Sequence, residues 1–98
     1  MEINKESYYI VRGDKSGVFF GHISNRNGGE VTMTNARRIW YWDGANTLSQ
    51  LAMEGTKKGD SCKFTMRVSE ILILDAIEIT PCTEKAVKSI EGVKEWKI

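Results

Sequence analysis

Short blocks of alternating apolar and polar residues, separated by Gly, Asn and Asp, run through most of the chain, and that period of two predicts strands. Tyr8–Val11 reads as a first strand closed by Gly13-Asp14. Asp14-Lys15-Ser16-Gly17 has the composition of a turn, and Val18–Ile23 then reads as an antiparallel second strand ended at Asn25–Gly29. A third strand starts at Glu30 and extends towards Trp42, with Val31 and Met33 on one face and Thr32 and Thr34 on the other. Thr34-Asn35-Ala36 interrupts that alternation, which predicts a bulge that re-aims every side chain beyond it.

After Asp43-Gly44 the period changes. Asn46 or Thr47 is placed to cap a short helix with Leu48, Leu51 and Ala52 at i, i+3 and i+4, and Gly55 ends it in the left-handed region. Cys62, Phe64, Met66 and Val68 alternate with polar residues as a half-buried strand, and Ser69-Glu70 reads as a tight turn. Ile71–Thr80 is apolar on both faces and predicts a central strand stopped by Pro81. Thr83 caps a second helix through Glu91, ended by Gly92, and Lys94–Ile98 returns as an edge segment. Strands grouped in hairpins, without regular βαβ alternation, predict an α+β fold: an antiparallel, strongly curled sheet or small barrel of about five to six strands with two short helices.

At 98 residues this is a single domain with residues 1–6 as a loose N-terminus, and it buries only about two thirds of its unfolded surface, so a homo-oligomer is expected. Fourteen basic residues against 13 acidic ones give no net field towards nucleic acid or an anionic membrane. No apolar run approaches the roughly 20 residues that span a bilayer, and no secretory signal follows Met1, so a cytoplasmic protein with reduced Cys62 and Cys82 is expected.

Candidate chemistry is sparse. His22 is the only imidazole, and neither it nor the separated cysteines supply a metal set or a nucleophilic triad, so no enzyme activity, metal or cofactor is expected. Asp75 interrupts an isoleucine-rich face and reads as a hydrogen-bonded residue at a strand irregularity. Gly28-Gly29 lacks the spacing of a phosphate loop and reads as a hairpin turn.

The exception is Arg37-Arg38-Ile39-Trp40-Tyr41-Trp42, two guanidiniums followed by three aromatic rings. Forked cations beside flat rings suit a ligand that is both anionic and aromatic. Strict alternation puts Arg38, Trp40 and Trp42 on one face and Arg37, Ile39 and Tyr41 on the other. Either face can be the core, so the segment is a core strand or an exposed binding stripe that Arg26, Lys63 and Arg67 would join from neighbouring strands.

Val31–Ala45, Leu48–Gly55, Ile71–Ile79 and Pro81–Ala86 resemble a small phage and prophage family of uncharacterised proteins. The resemblance implies an accessory factor that binds one host molecule, such as an inhibitor of host defence or a sponge for nucleotide signals, and it assigns no site residues. The leading expectation is therefore a non-enzymatic binder of a nucleotide-like ligand, with Arg37 or Arg38 clamping phosphate and Trp40, Tyr41 or Trp42 stacking the base. A protein–protein inhibitor or structural interaction module is the second expectation. Single-stranded nucleic-acid binding is the third, disfavoured by near-neutral charge.

Overall fold

The hairpin signals govern the topology of the computed structural model, which describes residues 1–98. The elements in order are β1 (Tyr9–Gly13), β2 (Val18–Asn27), β3 (Glu30–Tyr41), α1 (Leu48–Glu54), a 3-10 turn (Gly59–Ser61), β4 (Lys63–Phe64), β5 (Val68–Ile73), β6 (Ala76–Pro81) and α2 (Glu84–Glu91). All strand ladders are antiparallel, in the order β4-β3-β2-β1-β6, with β5 also pairing β3. This is the expected α+β architecture. The sheet is not closed, however: β5 and β6 share no ladder, so the small barrel does not form.

β1 and β2 are buried on both faces. Ile10 and Phe20 join Ile39, Phe64 and the helix residues Leu51, Ala52 and Ile90 in one cluster. Their sequence neighbours Val11 and Phe19 join Ile23, Val31, Met33 and Ile73 in a second cluster on the opposite side. Period-two geometry sends consecutive apolar residues to opposite cores, which explains the doublets Ile10-Val11 and Phe19-Phe20.

The bulge lies where the sequence breaks. Asn35 has φ 48°, and the β2–β3 register shifts between Phe20↔Arg37 and His22↔Thr34. Gly21 lies inside that shift, and a Cβ on it would stand 2.9 Å from Ala36 Cα and 3.0 Å from the Thr34 carbonyl, so only glycine lets the strands close here. Beyond the bulge Ala36 stays in the second cluster while Arg37 and Ile39 turn towards the helices.

Ile71–Thr80 is not one central strand. It divides at Leu74-Asp75 into two edge strands, and Ser69-Glu70 lies within β5 instead of forming a turn. The cause is Asp75, whose Oδ2 accepts from the Lys15 and Ser16 N–H groups at 2.8 and 3.0 Å while its carbonyl accepts from Asp14 N–H at 2.9 Å. Fixing that carboxylate to the β1–β2 turn takes the backbone out of strand geometry. Leu72, Leu74 and Ile77 are left 56, 67 and 62% exposed. The half-buried strand expected from Cys62 to Val68 likewise reduces to Lys63–Phe64, with Met66 and Val68 exposed.

Both helices start as read. Thr47 Oγ1 accepts from Gln50 N–H and Thr83 Oγ1 from Ala86 N–H. Gly55, at φ 77°, ends α1, whereas Gly92 follows α2 in right-handed geometry and does not use its extra freedom.

Candidate functional site

β3 distributes the Arg-Trp segment between interior and surface. Arg37 is completely buried. Its Nη1 donates to the Ile90 carbonyl at 2.9 Å, Nη2 to the Phe64 carbonyl at 3.2 Å and Nε to the Thr65 carbonyl at 3.0 Å, with the guanidinium 5.5 Å from the Phe64 ring centre. Burial, then the neighbouring Arg67 charge, lowers its pKa, opposed by Glu91 and Glu95. An arginine nonetheless stays protonated, and three carbonyls replace its hydration shell. Arg37 therefore joins β3, β4 and α2 and is withdrawn from ligand binding.

Trp42 is partly withdrawn. The β3–β4 register shifts between Ile39 and Tyr41, so the strict alternation ends there. Trp42 packs half-buried against the helix-side cluster and its Nε1–H donates to the Ala45 carbonyl at 3.2 Å. The strand shares out its rings: Trp40 and Tyr41 are 64 and 50% exposed, and Trp42 turns in.

What faces solvent is a cation–indole surface with a member the sequence reading did not name. Trp40 stacks on Trp96 with centroids 6.2 Å apart and planes 19° from parallel, and Lys63 Nζ stands 5.4 Å from the Trp96 ring centre. Arg38, two residues before Trp40 on the exposed side of β3, lays its guanidinium 4.8 Å over the Phe19 ring and forms no salt bridge. It borders a groove of about 450 Å³ that Lys15, Leu72 and Leu74 also line. Its backbone N–H donates to Thr65 Oγ1 at 2.9 Å, which fixes the strand beneath it.

Arg67 holds Trp96 in place and is not itself free. Its Nη1 meets Glu95 Oε2 at 2.9 Å and its Nη2 meets Glu91 Oε1 at 3.1 Å, while its N–H also donates to Glu95. The N–H of Arg67, then its guanidinium, keep the Glu95 carboxyl below the usual range. With Glu95 anchored, Trp96 N–H donates to the Phe64 carbonyl at 2.8 Å, which seats the indole beside Trp40. Trp96 was hidden in the sequence because contact between positions 40 and 96 depends on this anchor.

Arg26 belongs elsewhere. It pairs with Val31 while Arg38 pairs with Phe19, a separation of roughly 20 Å along β3, and its Nε donates to the Gly28 carbonyl at 3.0 Å. Gly28-Gly29 forms the β2–β3 turn. His22 Nδ1 lies 2.8 Å from the Ser7 carbonyl and its ring 3.9 Å from that of Tyr8. No group of three or more His, Cys, Asp or Glu side chains converges on one point, and no helix is long and apolar enough to cross a membrane. Cys62 and Cys82 are unpaired, and burial pushes the Cys82 thiol up to about 12.

A family model described as a domain of unknown function, DUF6948, matches residues 6–90. The chain belongs to the DUF6948 family. Arg38, Trp40 and Lys63 lie within the matched DUF6948 span, and Trp96 lies beyond it. Neither a curated protein nor a solved structure matches the chain significantly.

Proposed function

We propose that this DUF6948 protein binds, without catalysis, a ligand that combines an anionic group with a flat aromatic ring, and that it is a phage accessory factor sequestering a host nucleotide signal. The observation that carries the reading is the exposed Trp40–Trp96 pair with Lys63 against it and the unpaired Arg38 on the same strand. Exposed indoles beside free cations are costly to solubility unless they bind something. Stacking on an indole contributes about 1–3 kcal/mol per base, and a guanidinium fork recognises phosphate. The resemblance to small prophage proteins supports the biological setting.

Titration with mononucleotides and cyclic dinucleotides, followed by tryptophan fluorescence and calorimetry, tests the reading. Binding is expected to quench fluorescence, to weaken at least about tenfold in Trp40→Ala and Arg38→Ala, and to persist in Arg26→Ala. The reading fails if no nucleotide binds, or if Trp40→Ala and Arg38→Ala bind like the parent.

A second reading is supported by Met66 and Val68, exposed beside the small depression that Arg38 and Phe19 line. Aromatic residues, methionine and arginine together are typical anchors of a protein interface. Capture of a single host protein, abolished by Trp40→Ala while nucleotides have no effect, would favour an inhibitor of a host factor.

A further inference from the structure

β5 is an open edge, and it is not protected in the ways that sheet edges usually are. It pairs only with β3, and no residue from 68 to 73 makes a backbone hydrogen bond outside that ladder, so the N–H and C=O groups on its far side meet water. Its side chains add apolar surface: Val68, Leu72 and the adjoining Leu74 are 41, 56 and 67% exposed. It contains no Lys and no Pro, the residues that commonly block edge pairing. The other edges differ. β6 ends in Pro81, which has no N–H to donate, and β4 is covered by the bridge between Phe64 and Glu95.

We infer that β5 pairs antiparallel with β5 of a second copy of this chain across a two-fold axis at Leu72. An edge that pairs with itself is isologous, so each residue must tolerate its two-fold mate. Glu70 is the only charge in β5, and it decides the register. An axis at Glu70 opposes two carboxylates directly, and an axis at Ile71 places each Glu70 against a leucine with the second carboxylate nearby. An axis at Leu72 packs Leu72 on Leu72 and moves the two Glu70 carboxylates roughly 13 Å apart along the strands. In that register Glu70 of one copy comes opposite the bend at Leu74, just past the end of the other copy's β5, where Lys15 and Arg38 line the groove with Asp75, so each carboxylate approaches two cations and one carboxylate of the opposite chain. The pairing thus removes exposed leucine from water, satisfies the open backbone edge and joins opposite charges. It does not depend on the ligand reading.

Sedimentation of the full chain over a concentration series tests the inference, with dimer expected for the parent. Leu72→Lys places two ammonium groups at the axis and is expected to raise the dimer Kd roughly a hundredfold while the far-UV spectrum and the melting transition stay native. Leu72→Cys supplies an arm that does not depend on dissociation. Directly opposed Cα atoms in an antiparallel pair lie about 4.5–5.5 Å apart, within disulfide reach, so mild oxidation is expected to cross-link Leu72→Cys chains but not Leu74→Cys chains. A parent that remains monomeric at its highest soluble concentration overturns the inference. So does a dimer indifferent to Leu72→Lys, or cross-linking through Leu74→Cys that equals that through Leu72→Cys.

Discussion

Arg37 donates to the Ile90 carbonyl across 2.9 Å, although 53 positions separate the two in sequence. That bond lets a buried cation hold the end of α2 against β3. Removing the guanidinium strips the Thr65 carbonyl of its donor, at a cost of about 1–3 kcal/mol where water cannot enter, and leaves the Phe64 and Ile90 carbonyls with only the N–H groups of Trp96 and Val93. Arg37→Ala is therefore expected to lose about 2–4 kcal/mol in urea denaturation, from the unmet carbonyl and the cavity left by a fully buried side chain. Arg38→Ala, one residue away and exposed, is expected to lose less than about 1 kcal/mol. Equal losses in the two variants would contradict a structural role for Arg37 and a surface role for Arg38.

The three tryptophans should differ in accessibility. Iodide or acrylamide is expected to quench Trp40 and Trp96 strongly and Trp42 weakly, which single-tryptophan variants resolve. A strongly quenched Trp42 would contradict its packing against the helix-side cluster.

Gly21→Ala should be among the most damaging substitutions of a small residue. Its Cβ meets backbone atoms of β3 at 2.9 and 3.0 Å, and backbone cannot rotate aside as a side chain can. A loss of about 1–3 kcal/mol is expected by chemical denaturation. Gly28→Ala is the control for steric contact, since nothing lies within 4 Å of its Cβ position and only its φ of 60° opposes the change.

Acid should weaken the fold through two carboxylates. Asp75 is held below its ordinary range by the Ser16 hydroxyl and then the Lys15 N–H, and Glu95 by the Arg67 N–H and then its guanidinium. A depressed folded pKa means the unfolded chain takes up the proton first, so this stabilisation is complete above the ordinary carboxylate range and is lost as pH falls through the folded values. The melting temperature is expected to be level from neutral pH to about pH 5 and to decline below about pH 4. Asp75→Asn and Glu95→Gln should melt lower at neutral pH and show shallower acid limbs.

Cys82 should be inert in the native state, because a thiol pushed up to about 12 carries almost no thiolate at neutral pH. A thiol reagent is expected to label it far more slowly in the native chain than in urea, measured by mass spectrometry.

The elements the sequence foretold correctly are those whose signals are local. The β1–β2 and β2–β3 hairpins, the Thr47 and Thr83 caps and the bulge at Asn35 depend on neighbouring residues competing for nearby backbone groups, and such competition is resolved within a few positions. Asp75 also announced itself, as a lone carboxylate among isoleucines. Its consequence was not visible, because the partners that divide β5 from β6 are Lys15 and Ser16, some 60 positions earlier.

The Arg-Trp segment shows the same boundary from the functional side. Its sequence established that cations and indoles lie close together, which restricts the ligands worth testing. Only the tertiary structure decided which of them are available. Arg37 is consumed by the carbonyls of Phe64, Thr65 and Ile90, Trp42 turns in after a register shift, and Trp40 gains Trp96 as a partner because Arg67 anchors Glu95. A strand's alternation is fixed by covalent geometry and can be read from the chain. Which face is buried, and which polar group finds its partner there, depends on surfaces supplied by distant segments once the chain has folded.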